Sequence, residues 1–145
     1  MREFTDTTGR KWRIALTLGS AMQVKSAQQV DLLAPEAGDP PLLTRLATDE
    51  FLLGRVILCL LSGQFEACQM TEADVLASFD GATLLAAQEA FFGDLTDFFQ
   101  SRGRLDRAAA VRKQSALMQA AIQQAAAEVQ AISLTHGGRS GESPA

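Results

Sequence analysis

Residues 82–100 read ATLLAAQEAFFGDLTDFFQ, and their spacing decides the fold. Leu84, Gln88, Phe91, Leu95 and Phe98 recur at steps of four, three, four and three, the period of one face of an α-helix. Leu85, Phe92 and Phe99 widen that stripe. Five of the eight phenylalanines lie between Phe79 and Phe99. An aromatic stripe this dense reads as the hydrophobic core of a helical body rather than as a ligand box.

Upstream, Asp80-Gly81 separates this helix from a short one running to about Phe79. Thr71-Glu72-Ala73-Asp74 opens that short helix as a capping box, with Asp in place of Glu or Gln. Further back, Thr48 or Asp49 caps a helix that reaches Leu61, where Ser62-Gly63 ends it. Phe51, Leu52, Val56, Leu58 and Cys59 make that helix apolar nearly all round, which places it inside the core. Ala34 to Pro41 is a loop, since it holds three of the four prolines, and a short helix, Leu42 to Ala47, follows it. A helix over about Ser20 to Gln28 carries Met22, Val24 and Ala27 as its apolar content. The first sixteen residues read as a β-hairpin. Arg2 to Thr5 is extended, Asp6 to Arg10 is turn material with Gly9 free to take positive φ, and Trp12, Ile14 and Leu16 share one face at period two. A hairpin alone is marginal, so this face must pack on the helices.

Downstream, Ser101-Arg102-Gly103 is a break. From Arg104 to about Leu134 the chain is rich in Ala and Gln and has no Gly or Pro, which favours one long helix. Val111, Ser115, Met118, Ile122, Ala125, Val129 and Ile132 fall at alternating steps of four and three, three heptads of a coiled-coil seam. Ser115 and Ala125 bury little, so the seam is shallow and needs a partner surface: the chain's own core, a second copy or a client. Residues 135–145 read as a disordered tail. The expected architecture is therefore mainly α with a short N-terminal β-hairpin (α+β). It comprises a hairpin and helical body over 1–101, a C-terminal helix over 102–134 and the tail.

Composition narrows the function. The chain has 145 residues, a net charge of −4 and an estimated pI of about 4.9. An acidic chain lacks the basic face that neutralises phosphates, and its nearest approach (Arg102, Arg104, Arg107, Arg112 and Lys113) is interrupted by Asp106. Nucleic acid is therefore not the expected partner. No apolar run reaches the ~18–20 residues of a membrane span, and the N-terminus lacks the apolar stretch of a signal peptide, so a cytoplasmic protein is expected. Cys59, inside an apolar run, reads as a small buried hydrophobe, and nothing supports a bridge to Cys68. The single histidine, His136, sits beside Gly137-Gly138 without a scaffold, which makes it a poor general base. Asp94 and Asp97, three apart on a helix, read as solvated surface charge. No zinc spacing, P-loop or dinucleotide fingerprint is present. No catalytic, metal or cofactor residue is assigned, and a non-catalytic protein that binds another protein is expected. Its contact row is Val111, Met118, Ile122, Val129 and Ile132.

The order of pieces resembles the small tail assembly chaperones encoded by tailed phages and prophages. The likeness rests on Arg2-Glu3-Phe4-Thr5-Asp6, Gly9 to Ile14, Val30-Asp31-Leu32, the apolar helix from Asp49 to Leu61, Thr71 to Asp74 leading to Phe79-Asp80-Gly81, and Asp94 to Phe99. It spans residues 2–100. The resemblance implies an N-terminal hairpin and helical body, binding to a tape measure protein, and help in assembling tail-tube protein around it. A minor tail or head–tail connector protein and a small regulator that blocks another protein are the alternative expectations. Self-association into a homo-oligomer is compatible with each.

Overall fold

A computed structural model describes the backbone of residues 1–142 and the side chains of residues 1–132. The tail expected from residue 135 onward lies outside the residues described in full. The chain forms β1 (Arg2–Thr5), β2 (Lys11–Ile14), α1 (Leu18–Gln28), α2 (Leu42–Thr48), α3 (Glu50–Leu61), α4 (Glu72–Ser78), α5 (Gly81–Ser101) and α6 (Leu105–Glu142). This is the expected α+β architecture: a two-stranded hairpin, a helical body and a long last helix.

Local chemistry sets most boundaries. The Asp49 carboxylate accepts from the Leu52 amide and caps α3. Thr71 and Asp74 close a reciprocal capping box at α4, and Thr17 and Ser20 close a second one at α1. That second box starts α1 at Leu18, two residues before the position read from sequence. Asp80, read as a breaker, is also the N-cap of α5, accepting from the Thr83 amide at 2.9 Å. These caps satisfy amides that have no partner within the helix. Hydrogen bonds donated by the Thr83 amide to Asp80 and by the Thr71 amide to Asp74 hold these two carboxyls below the usual range.

The hairpin pairs Phe4 with Trp12 across antiparallel strands, and both are buried with Ile14 and Leu16. Gly9 takes φ +83, the conformation its turn requires. This face lies against α5 and α3. Leu53, Val56, Ile57 and Leu61 of α3 meet Phe91, Leu95 and Phe99 of α5 in one core, which Val24, Leu32 and Leu46 complete. Some apolar expectations need correcting. Met22 is 63% exposed and Leu85 41% exposed, because Ala21 and Val24 of α1, and Ala87 and Phe91 of α5, take the buried positions instead.

Asp94 is a further correction. It is 3% exposed rather than solvated. It accepts from the Leu16 amide at 2.6 Å and pairs with the Met1 ammonium at 2.5 Å, tying the end of the hairpin to α5. A carboxylate withdrawn from water needs such partners. Asp97 does stand at the surface, paired with Arg2.

Candidate protein-binding surfaces

The long row on α6 divides in two. Ala108 and Val111 are fully buried, Ser115 and Met118 half-buried, and every residue from Ala121 to Ile132 is exposed. The buried part packs on α5 and α2. Val111 therefore leaves the contact row read from sequence: it is a core residue, closed off by the body. Met118 sits at the junction. Ile122, Val129 and Ile132 remain open to solvent at 48%, 63% and 57%. The exposed half is also poorly charged. Glu128 is the sole formal charge between Lys113 and Ile132. A solvated helix usually carries many charges, so an Ala/Gln arm with an apolar row is a surface suited to being covered.

A second apolar surface was not legible in the sequence. Phe51, at the second position of α3, is 81% exposed, and Leu76 of α4 is 54% exposed. With Gly54, Leu58, Phe79 and Leu84 they line a groove of about 270 Å³, with Glu50 and Arg55 at its rim. The expectation that α3 lies wholly inside the core is corrected accordingly. The helix buries Leu53, Val56 and Ile57 and turns Phe51 to solvent. A helix that is apolar all round but sits at the edge of a small body must expose part of itself, and that was the available signal.

The hairpin buttresses this groove. Phe79 meets Phe4 edge-on at 5.7 Å and Trp12 at 6.2 Å, and the Thr7 hydroxyl donates to the Ser78 carbonyl at 3.2 Å. Trp12 is itself oriented by Asp6. One Asp6 oxygen accepts from the Thr8 amide, the Thr8 hydroxyl and the Arg10 amide at 2.9, 2.6 and 3.0 Å. The other accepts from the Trp12 indole at 3.0 Å. Burial pushes this carboxyl up, but the hydrogen bonds more than offset that and hold it at about 2. A second hollow of about 340 Å³ lies where α6 leaves the body, lined by Leu46, Leu53, Leu117, Met118 and Ile122. Glu50 borders both hollows, so they adjoin across the start of α3.

Chemistry-bearing groups do not converge. Among the described residues no three His, Cys, Asp or Glu side chains cluster as a metal site, and no helix is long and apolar enough to cross a membrane. Cys59 and Cys68 are half-buried free thiols, and burial pushes the Cys59 thiol up. His136 lies outside the described side chains. Three of the basic residues around the start of α6 are engaged within the fold: Arg104 with Asp106, Arg107 with Glu36 and the Leu33 carbonyl, and Arg102 over the Phe98 ring. Set against protein-family models, curated proteins and solved structures, the chain matches none.

Proposed function

We propose that this chain is a non-catalytic protein-binding protein, and that it acts as a phage tail assembly chaperone on a tape measure or tail-tube protein. The observation that carries the binding role is the continuous apolar surface around Phe51, Leu76 and Leu84, next to an α6 arm that bears Ile122, Val129 and Ile132 uncovered. A folded chain this small has little reason to leave a phenylalanine 81% exposed beside a leucine 54% exposed unless another molecule covers them. The groove suits one face of an amphipathic helix, read as anchors at helical spacing. A tape measure protein is long and helical and exposes such faces before the tube encloses it. The resemblance over residues 2–100 supplies the identity of the client, and the groove supplies a means of holding it.

The test is co-expression with the tape measure and tail-tube proteins of the same phage or prophage, followed by co-purification and calorimetry. Phe51→Asp with Leu76→Asp should weaken binding at least tenfold while the circular dichroism spectrum and melting temperature stay unchanged. Absence of a complex with the unaltered chain overturns the chaperone reading. Recovery of the chain in purified particles by mass spectrometry would favour the minor tail or connector alternative.

A further inference from the structure

Building on the binding role proposed for the Phe51 groove, we infer that its occupant is an amphipathic α-helix that sets one large apolar side chain into a hole over Gly54, with a basic flank toward Glu50 and an acidic flank toward Arg55. Phe51, Gly54, Arg55 and Leu58 stand at positions i, i+3, i+4 and i+7 of α3, and all four line the groove. Four residues at that spacing form the diamond into which a facing helix inserts a side chain. Leu76, Phe79 and Leu84 wall the diamond from α4, α5 and the turn between them. Phe51 and Leu58 give the hole an apolar lining, and Gly54, which has no Cβ, gives it depth.

Gly54 carries the inference independently of the exposed apolar residues. It lies in the interior of α3, where a glycine weakens the helix relative to alanine. Nothing inside the chain calls for it. A Cβ built there meets no atom within 4 Å, and the backbone is not left-handed at this position. At Gly93, by contrast, an added Cβ runs into the Arg2 side chain. The fold therefore gains nothing from the missing side chain at Gly54. The gain falls to whatever enters the groove, because only a glycine lets a neighbouring helix bring a side chain down onto the α3 backbone.

The rim states the charge of the occupant. Glu50 and Arg55 are both exposed, and neither makes a hydrogen bond or ion pair among the described residues. Five positions apart, they lie about 140° from each other around α3, on opposite sides of the line from Phe51 to Leu58. A helix laid along that line meets an acid on one side and a base on the other. An occupant with Lys or Arg on one flank and Asp or Glu on the other satisfies both, whereas two flanks of one sign set like charges together on one side.

The probe is a lactam-bridged helical peptide of about 18 residues with leucines at heptad spacing, Lys on one flank and Glu on the other, titrated calorimetrically into the full chain. Two control peptides carry Lys on both flanks or Glu on both. The mixed peptide should bind roughly threefold or more tighter than either control, and Glu50→Gln with Arg55→Gln should remove that preference. Gly54→Leu fills the hole and should weaken binding by about tenfold or more. Gly54→Ala should weaken binding while raising the melting temperature of the free chain by about 3–5 °C, since it adds helix propensity and meets no neighbour. No binding by any of the three peptides at about 1 mM, binding indifferent to Gly54→Leu, or a lower melting temperature for Gly54→Ala overturns the inference. Absence of a tape measure or tail-tube complex beside intact peptide binding overturns the chaperone reading alone. A complex that forms while no peptide binds overturns the helical occupant and leaves that reading standing.

Discussion

Replacing Asp6 with Asn should destabilise the fold in a way that fades as the pH falls. The Asp6 carboxyl is held at about 2 against an ordinary value of 3.8. Its ionised form therefore contributes stability that is fully present above about pH 4 and is lost as the pH drops towards 2. That gap corresponds to about 2 kcal/mol. Asn keeps one acceptor oxygen for Thr8 and Arg10 but turns an amide N–H₂ towards the Trp12 indole N–H, leaving a buried donor unmet at a cost of about 1–3 kcal/mol. The indole bond is one of the contacts that lower the carboxyl, so the two figures overlap and the expected loss near neutral pH is about 2–3 kcal/mol, a large share of the roughly 5–15 kcal/mol that holds a domain together. Urea unfolding followed by the emission of Trp12 measures it cleanly, since the chain has one tryptophan and no tyrosine. The difference between the two proteins should narrow by about 1.5 kcal/mol between pH 6 and pH 2.5. A difference that stays constant over that range would refute the assignment of Asp6 as an ionised, buried hub. A loss below about 1 kcal/mol at pH 6 would show that the indole contact contributes little.

Other perturbations separate core from surface. Val111→Asp buries a charge where no partner waits and should cost more than about 3 kcal/mol, whereas Ile122→Asp on the same row should stay within about 0.5 kcal/mol; thermal melts of the two compare them directly. Asp94→Asn weakens a short charge-assisted bond to the Leu16 amide, and a loss of about 1.5–3 kcal/mol with faster hydrogen exchange at Leu16 is expected. At Gly93 an added Cβ would meet the Arg2 side chain at 2.5–2.7 Å. That side chain can swing aside, giving up an exposed ion pair to Asp97 worth at most about 1 kcal/mol, while Ala gains up to about 1 kcal/mol of helix propensity. Gly93→Ala should therefore be close to neutral by denaturation, and a loss above about 2 kcal/mol would show that Arg2 is held more firmly than an exposed pair allows.

The elements that were legible in the sequence are those set by local chemistry. Asp49 before an apolar run, the box of Thr71 and Asp74, and Gly9 in its turn each act within four residues, so their meaning needs no tertiary partner. Asp6 was visible only as turn material, because its role depends on the buried indole of Trp12. Asp94 could have been read better. It stands three residues after Phe91 and one before Leu95, on the same buried face, so a carboxylate there called for a partner from another element. Phe51 escaped because an all-apolar helix reads as interior, and nothing in a single helix shows which neighbour will be missing.

Helix length explains why one row on α6 serves both fold and surface. α5 has 21 residues and α6 has 38. Two antiparallel helices joined by a short turn can cover each other only over the length of the shorter, so at least 17 residues of α6 extend past α5. The other helix packed against α6 is α2, which has seven residues and sits near Met118, at the start of the arm rather than along it. The exposure of Val129 and Ile132 therefore follows from the covalent lengths of the elements and not from loose packing of the body. The row keeps its heptad spacing beyond the point where the body ends. Helix propensity alone would be satisfied by alanine and glutamine, so the β-branched residues at the seam positions of this arm are not explained by helix formation.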